Sequence, residues 1–88
     1  MDFEWDARKA RTNAAKHGVT FEEAATVFRD TLAITVPDDR FAEQRWSTIG
    51  MSGYNRLLVV AHEDHGQRIR IISSRPATRH ERKQYEQG

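Results

Sequence analysis

The chain has 88 residues, with 14 Lys and Arg against 13 Asp and Glu, four His, no Cys and a formal net charge of +1. That length predicts a single domain over residues 1–88, and with 38 % of residues apolar its core must be thin. A disulfide framework and a thiolate metal site are excluded, no apolar run approaches the roughly 20 residues of a membrane span, and the acidic start Met1-Asp-Phe-Glu-Trp-Asp6, which lacks the features of a secretory leader, predicts a cytoplasmic protein.

Phe3 and Trp5 alternate with Asp2, Glu4 and Asp6, which predicts a short first strand with its aromatics inward. Asp6 is a suitable N-cap for a helix from about Ala7 to His17, and Gly18 stands where a left-handed C-cap is expected. The inward face of that helix is Ala7, Ala10 and Ala14. Thr20-Phe-Glu-Glu23 reads as a capping box opening a second helix to about Arg29. Its apolar stripe is Phe21, Ala24, Ala25 and Phe28.

From Thr31 the period changes to two. Leu32, Ile34 and Val36 form a strand ended by a turn at Pro37-Asp38-Asp39. A strand over Gln44–Met51, a turn at Ser52-Gly-Tyr-Asn55 and a strand over Arg56–Ala61 follow. The run Leu57-Leu-Val-Val60 is apolar on both faces, so its strand should be central. Asp64-His65-Gly66 predicts another turn before a last strand, Arg68–Ser74, with Ile69 and Ile71 opposite Arg68 and Arg70. Thr78-x-x-Glu81 is a second capping box, opening a short polar helix to about Glu86 whose natural anchor is Tyr85. The order β-α-α-β-β-β-β-α describes an α+β domain with a small antiparallel sheet of four to five strands, two N-terminal helices and one C-terminal helix.

Charge is unevenly placed. Between Gln67 and Lys83 there are five arginines, one lysine and a single acid, Glu81. Arginine presents a planar fork to phosphate oxygens, so Arg68, Arg70, Arg75, Arg79, Arg82 and Lys83 form a candidate phosphate-binding surface. The competing reading is that these cations pair with Glu81, Glu86 and the N-terminal acids. His17 ends the first helix beside Gly18 and is either a proton carrier or a histidine stabilised by the helix dipole. His62-Glu-Asp-His65 fills a short turn without a wider ligand cluster, and no metal or cofactor is expected.

Five segments carry a resemblance, in order and over nearly the whole chain. They are Phe3-Glu-Trp-Asp6, Asn13-x-x-Lys16-His17-Gly18-Val-x-Phe21, Glu43-x-Arg45-Trp-x-x-Ile49-Gly50, Arg56-Leu-Leu-Val-Val60, and Arg68-Ile-Arg-Ile-Ile-Ser-Ser-Arg75-x-Ala77-x-x-x-Glu81-x-x-x-Tyr85-Glu86. Together they resemble the BrnT family of type II toxins, small ribonucleases with a RelE-like fold. The resemblance implies metal-independent RNA cleavage that inhibits translation. It implies neutralisation by a BrnA-like antitoxin whose ribbon-helix-helix part binds operator DNA, in a heterotetramer, with no membrane partner. Without metal the ribose 2′-OH must attack the adjacent phosphate, which needs a base and cations around the charged transition state. His17 is the candidate base or acid, Arg75 and Arg79 the candidates for the charge, and Glu81 a second acid–base candidate. Lys16, Arg45 and Arg70 are candidates for flanking phosphates, and Tyr85 for stacking on substrate or anchoring its helix. The alternative is a non-catalytic basic module that binds nucleic acid or a partner.

Overall fold

Asp6 and Gly18 delimit the first helix as their chemistry demands. The Asp6 carboxylate accepts from the amides of Arg8 and Lys9, and Gly18 takes φ 69°, where a side chain would be strained. In the computed structural model, which describes residues 1–88, this helix α1 (Ala7–His17) follows a short strand β1 (Asp2–Glu4). Then come α2 (Phe21–Thr26), tightened into a 3₁₀ turn at Val27–Arg29, and the strands β2 (Ile34–Asp38), β3 (Arg45–Met51), β4 (Leu57–His65) and β5 (Arg68–Pro76). Helix α3 (Arg79–Gln87) closes the chain.

The five strands lie in the order β1-β5-β4-β3-β2. β2 to β5 are joined by antiparallel pairings, as expected. β1 departs from that pattern: it lies parallel to β5, with Phe3 opposite Ile69, so the sheet is mixed. The whole domain separates these two strands, and no hairpin constrains their relative direction. Two predicted turns are absorbed into strands. β2 runs through Pro37 to Asp38, which an edge strand tolerates because no partner needs the missing amide. β4 runs on to His65, and the turn falls at Gly66, φ 67°.

Both faces of β4 are covered, which explains its unbroken apolar run. Leu58, Val60 and Ile71 meet Val19, Phe21, Ala24 and Val27 beneath α1 and α2. Ile49, Leu57 and Val59 lie on the opposite face, packed by Met51, Ala77 and Tyr85 of the α3 side. A bulge opposite Ala61 and His62 lets Ile71 and Ser74, three residues apart, both face the first layer. α3 covers only one end of the second face. Beyond it Arg45, Ser47, Ala61, Glu63 and Arg70 share that face with no helix above them.

Candidate functional site

β1 pairs with β5 only over Arg68–Arg70, so the outer edge of β5 beyond Arg70 has no strand neighbour. Asn13 serves there instead. Its Nδ2 donates to the Ser74 carbonyl at 2.8 Å and to the Val19 carbonyl at 3.0 Å, and its Oδ1 accepts from the Ser74 amide at 3.1 Å. The amide side chain thus completes a strand edge and docks α1 along β5. The expected inward face of α1 changes accordingly. Asn13 is buried, Ala10 and Ala14 are half-buried, and Ala7 is exposed, because the helix is held by its polar edge contact.

His17 lies one helical turn beyond Asn13. With Lys16 it lines a cleft of about 310 Å³ between α1 and Ile72–Ser73 of β5. The turn after His17 is tied down from elsewhere in the chain. The Gly18 carbonyl accepts from Arg56 Nη2 at 3.0 Å, and Arg56 Nε donates to Glu23 at 2.9 Å. Ser52 also donates to the Glu23 carboxylate. The Arg56 hydrogen bond holds the Glu23 carboxyl below its usual range against the cost of burial. Glu23 therefore makes half of the predicted capping box. Its amide bonds Thr20 Oγ1, while its carboxylate turns to Arg56.

On the second face, Arg75 and Glu81 form a two-forked pair, Nη1 to Oε1 at 2.7 Å and Nη2 to Oε2 at 2.8 Å. Glu81 Oε1 also accepts from the Thr78 amide at 2.8 Å, completing the predicted capping box. The Arg75 hydrogen bonds bring the Glu81 carboxyl down to about 2 and push the Arg75 guanidinium up. An ionised carboxylate this weakly basic is a poor proton carrier at neutral pH. It is well suited to fixing the fork of Arg75. It also occupies the anion site that the start of α3 would otherwise offer. Arg79 stands exposed in the first turn of α3 and forms no ion pair.

Arg45, Arg70 and Tyr85 are engaged as Arg75 is. Arg45 donates to Glu63 at 3.3 Å and stacks 4.2 Å over the Phe41 ring. Glu63 also accepts from His65 at 3.0 Å, and this bond, with the Arg45 charge, lowers its pKa. Arg70 and Arg68 both approach Glu4, at 3.1 and 3.5 Å. The reading in which strand arginines pair with acids thus holds for Arg68, Arg70 and Arg75. Tyr85 donates to Asp30 at 2.6 Å, and Asp30 also accepts from the Met51 and Leu32 amides. The Tyr85 hydroxyl is spent on anchoring α3. His62 and His65 point to opposite faces of β4, and nowhere do three or more metal-ligating side chains converge. His62 is buried, 2.8 Å from Thr48 Oγ1 and edge-on to Phe28, and burial pushes its pKa down.

The candidates therefore fall into two groups. Arg75 and Glu81 touch, and Arg45 and Arg70 share their face of the sheet. Lys16 and His17 lie in the α1–β5 cleft, against Ile72 and Ser73. No hydrogen bond or ion pair joins the groups, but β5 relates them. Asn13 is bonded to Ser74, the neighbour of Arg75, so the last turn of α1 and the first turn of α3 flank the same end of β5's free edge, one from each face. Asn13 and Arg56 open two of the motifs quoted above and Glu23 belongs to a capping box, but sequence reasoning assigned neither these residues nor Glu4 and Glu63 a part in the site. Asn13 could have been read as a lone amide beside an alanine stripe, whereas Glu23 and Arg56 are too far apart for any local signal of their pairing.

The sequence matches the family described as "Ribonuclease toxin, BrnT, of type II toxin-antitoxin system" over residues 5–81. Among curated proteins none matches. Among solved structures, the chain is similar to the ribonuclease toxin BrnT of Brucella abortus, with 27 % identity and a TM-score of 0.71, over 90 % of this chain and 99 % of that one.

Proposed function

The chain belongs to the BrnT family of ribonuclease toxins of type II toxin–antitoxin systems, and from that premise we propose that it cuts RNA without a metal ion and so inhibits translation. In this reading a BrnA-like antitoxin neutralises it and carries the ribbon-helix-helix part that binds operator DNA, the two chains forming a heterotetramer.

The proposed substrate path crosses the free edge of β5. The ribose 2′-oxygen attacks the adjacent phosphorus, the bond to the 5′-oxygen breaks, and a cyclic phosphate and a 5′-OH remain. His17 takes the 2′-OH proton or returns one to the leaving oxygen. Arg75 meets the charge that builds on the phosphate, Glu81 holds its fork in place, and Arg79 adds a second cation. Lys16, Arg45 and Arg70 bind phosphates on either side. Tyr85 fixes α3. The observation supporting this path is the Asn13–Ser74 contact, which sets the turn bearing His17 at the same end of β5 as Arg75.

A second reading, a non-catalytic basic module, is favoured by the internal pairing of Arg68, Arg70 and Arg75. Incubation of the purified chain with RNA in excess EDTA separates the two. Fragments ending in cyclic phosphate are expected from the wild type. Arg75→Ala/Arg79→Ala and His17→Ala should each cut at least ~100-fold more slowly while staying folded, the scale of losing one charge-stabilising or proton-transfer group. Cleavage that stops in EDTA, or that survives in the double variant, would overturn the metal-free, arginine-centred mechanism.

A further inference from the structure

Two sets of cations beside β5 differ in one respect. On the open sheet face each arginine is answered by an acid: Arg45 by Glu63, Arg68 and Arg70 by Glu4, Arg75 by Glu81. In the α1–β5 cleft, Arg8, Lys9 and Lys16 form no ion pair, and no acid lines the walls. The nearby Asp6 carboxylate accepts from the main-chain amides of Arg8 and Lys9, and its charge also acts on their side chains, which sets one carboxylate against three cations. The excess of positive charge that remains is unfavourable in the free molecule. An anionic ligand would relieve it.

We propose that this cleft binds the phosphate backbone of the RNA strand flanking the cut, with Arg8 and Lys9 as its outer contacts; this rests on the ribonuclease reading above. Arg8, Thr12 and Lys16 recur every four residues along one stripe of α1. At 1.5 Å per residue, Arg8 and Lys16 stand about 12 Å apart along the axis, a span for a short run of phosphates and not for a single anion. The track ends at His17, where the reacting phosphate is proposed to lie. No Phe, Tyr or Trp lines the cleft, so it would follow the backbone without reading bases. Ile72 is its one apolar wall residue, which leaves a protein partner without the buried anchors that such interfaces rely on.

The test is the salt dependence of binding to an oligoribonucleotide made uncleavable by 2′-deoxy substitution, read by fluorescence anisotropy. Arg8→Ala/Lys9→Ala should bind more weakly at low salt. Its plot of log affinity against log salt should be shallower by about 1.4, at roughly 0.7 per lost phosphate contact on a single strand. Arg11→Ala, on the same helix but outside the cleft, should leave the slope near that of the wild type. An unchanged slope in the cleft variant overturns the proposal. So does retained RNA affinity with lost antitoxin affinity, which would make the cleft a protein-docking site. Cutting of the unblocked oligonucleotide by the wild type is scored separately. A flattened slope without cutting refutes the catalytic reading alone, and cutting with an unchanged slope refutes the cleft alone.

Discussion

Arg75 and Glu81 form a two-forked ion pair whose contribution to stability depends on pH. The Glu81 carboxyl is lowered from 4.5 to about 2, chiefly by the Arg75 hydrogen bonds. Because the folded value is depressed, this stabilisation is full above about pH 4.5 and is lost as pH falls towards 2. The Arg75 side chain is 42 % exposed, so solvent screens the pair to on the order of 1 kcal/mol. Urea unfolding from pH 6 to pH 3 should show Arg75→Ala less stable than the wild type at pH 6, with the gap narrowing through that window. His62 acts over a higher range. Burial disfavours its charged form, so the unfolded chain takes up the proton first, and stability is full above about pH 6.5 and falls below it. A His62→Gln variant should lose less stability than the wild type between pH 7.5 and 5.5 in the same assay.

At the scale of elements, the two helices beside β5 are held by polar contacts because neither offers much apolar surface. α1 buries only Asn13 and α3 buries nothing fully. α3 depends on Ala77 and Tyr85 packing at Ile49, Leu57 and Val59, on the Tyr85–Asp30 bond, and on the Arg75–Glu81 pair. Tyr85→Phe keeps the ring and removes the bond, a loss of about 1 kcal/mol. Trypsin should then cut at Arg82 or Lys83 faster than in the wild type. An unchanged digestion rate with weakened RNA binding would assign Tyr85 to the substrate instead. The capping residues Asp6, Thr20 and Thr78 and the C-cap Gly18 were legible because capping is local chemistry. Strand ends were less so. β2 and β4 run through turn-like residues because pairing across the sheet outweighs a local preference.

For the whole molecule, a net charge of +1 conceals a sorted surface. Acids from β1, β4 and α3 converge on the open-face arginines, while Arg8, Lys9 and Lys16 of α1 line the cleft beside β5 without forming an ion pair. The C-terminal arginine cluster was visible in the sequence. That three of its members are held by acids, and that a cationic cleft without ion pairs lies between α1 and β5, was not, because Glu4 and Arg70 meet only through the parallel β1–β5 pairing and α1 meets β5 only in the folded chain.

The sequence by itself determined the α+β class, the order of elements, the helix caps and the central place of Leu57–Val60, since each follows from side-chain period and capping chemistry within a few residues. It also carried the family, through motifs spread along the chain. Only the tertiary structure decided that β1 runs parallel to β5, that Asn13 completes the edge of β5, and that Lys16 and His17 line a cleft against Ile72 and Ser73 of that strand. Those facts depend on which distant strands pair and which polar groups must then be satisfied, and no local pattern encodes either.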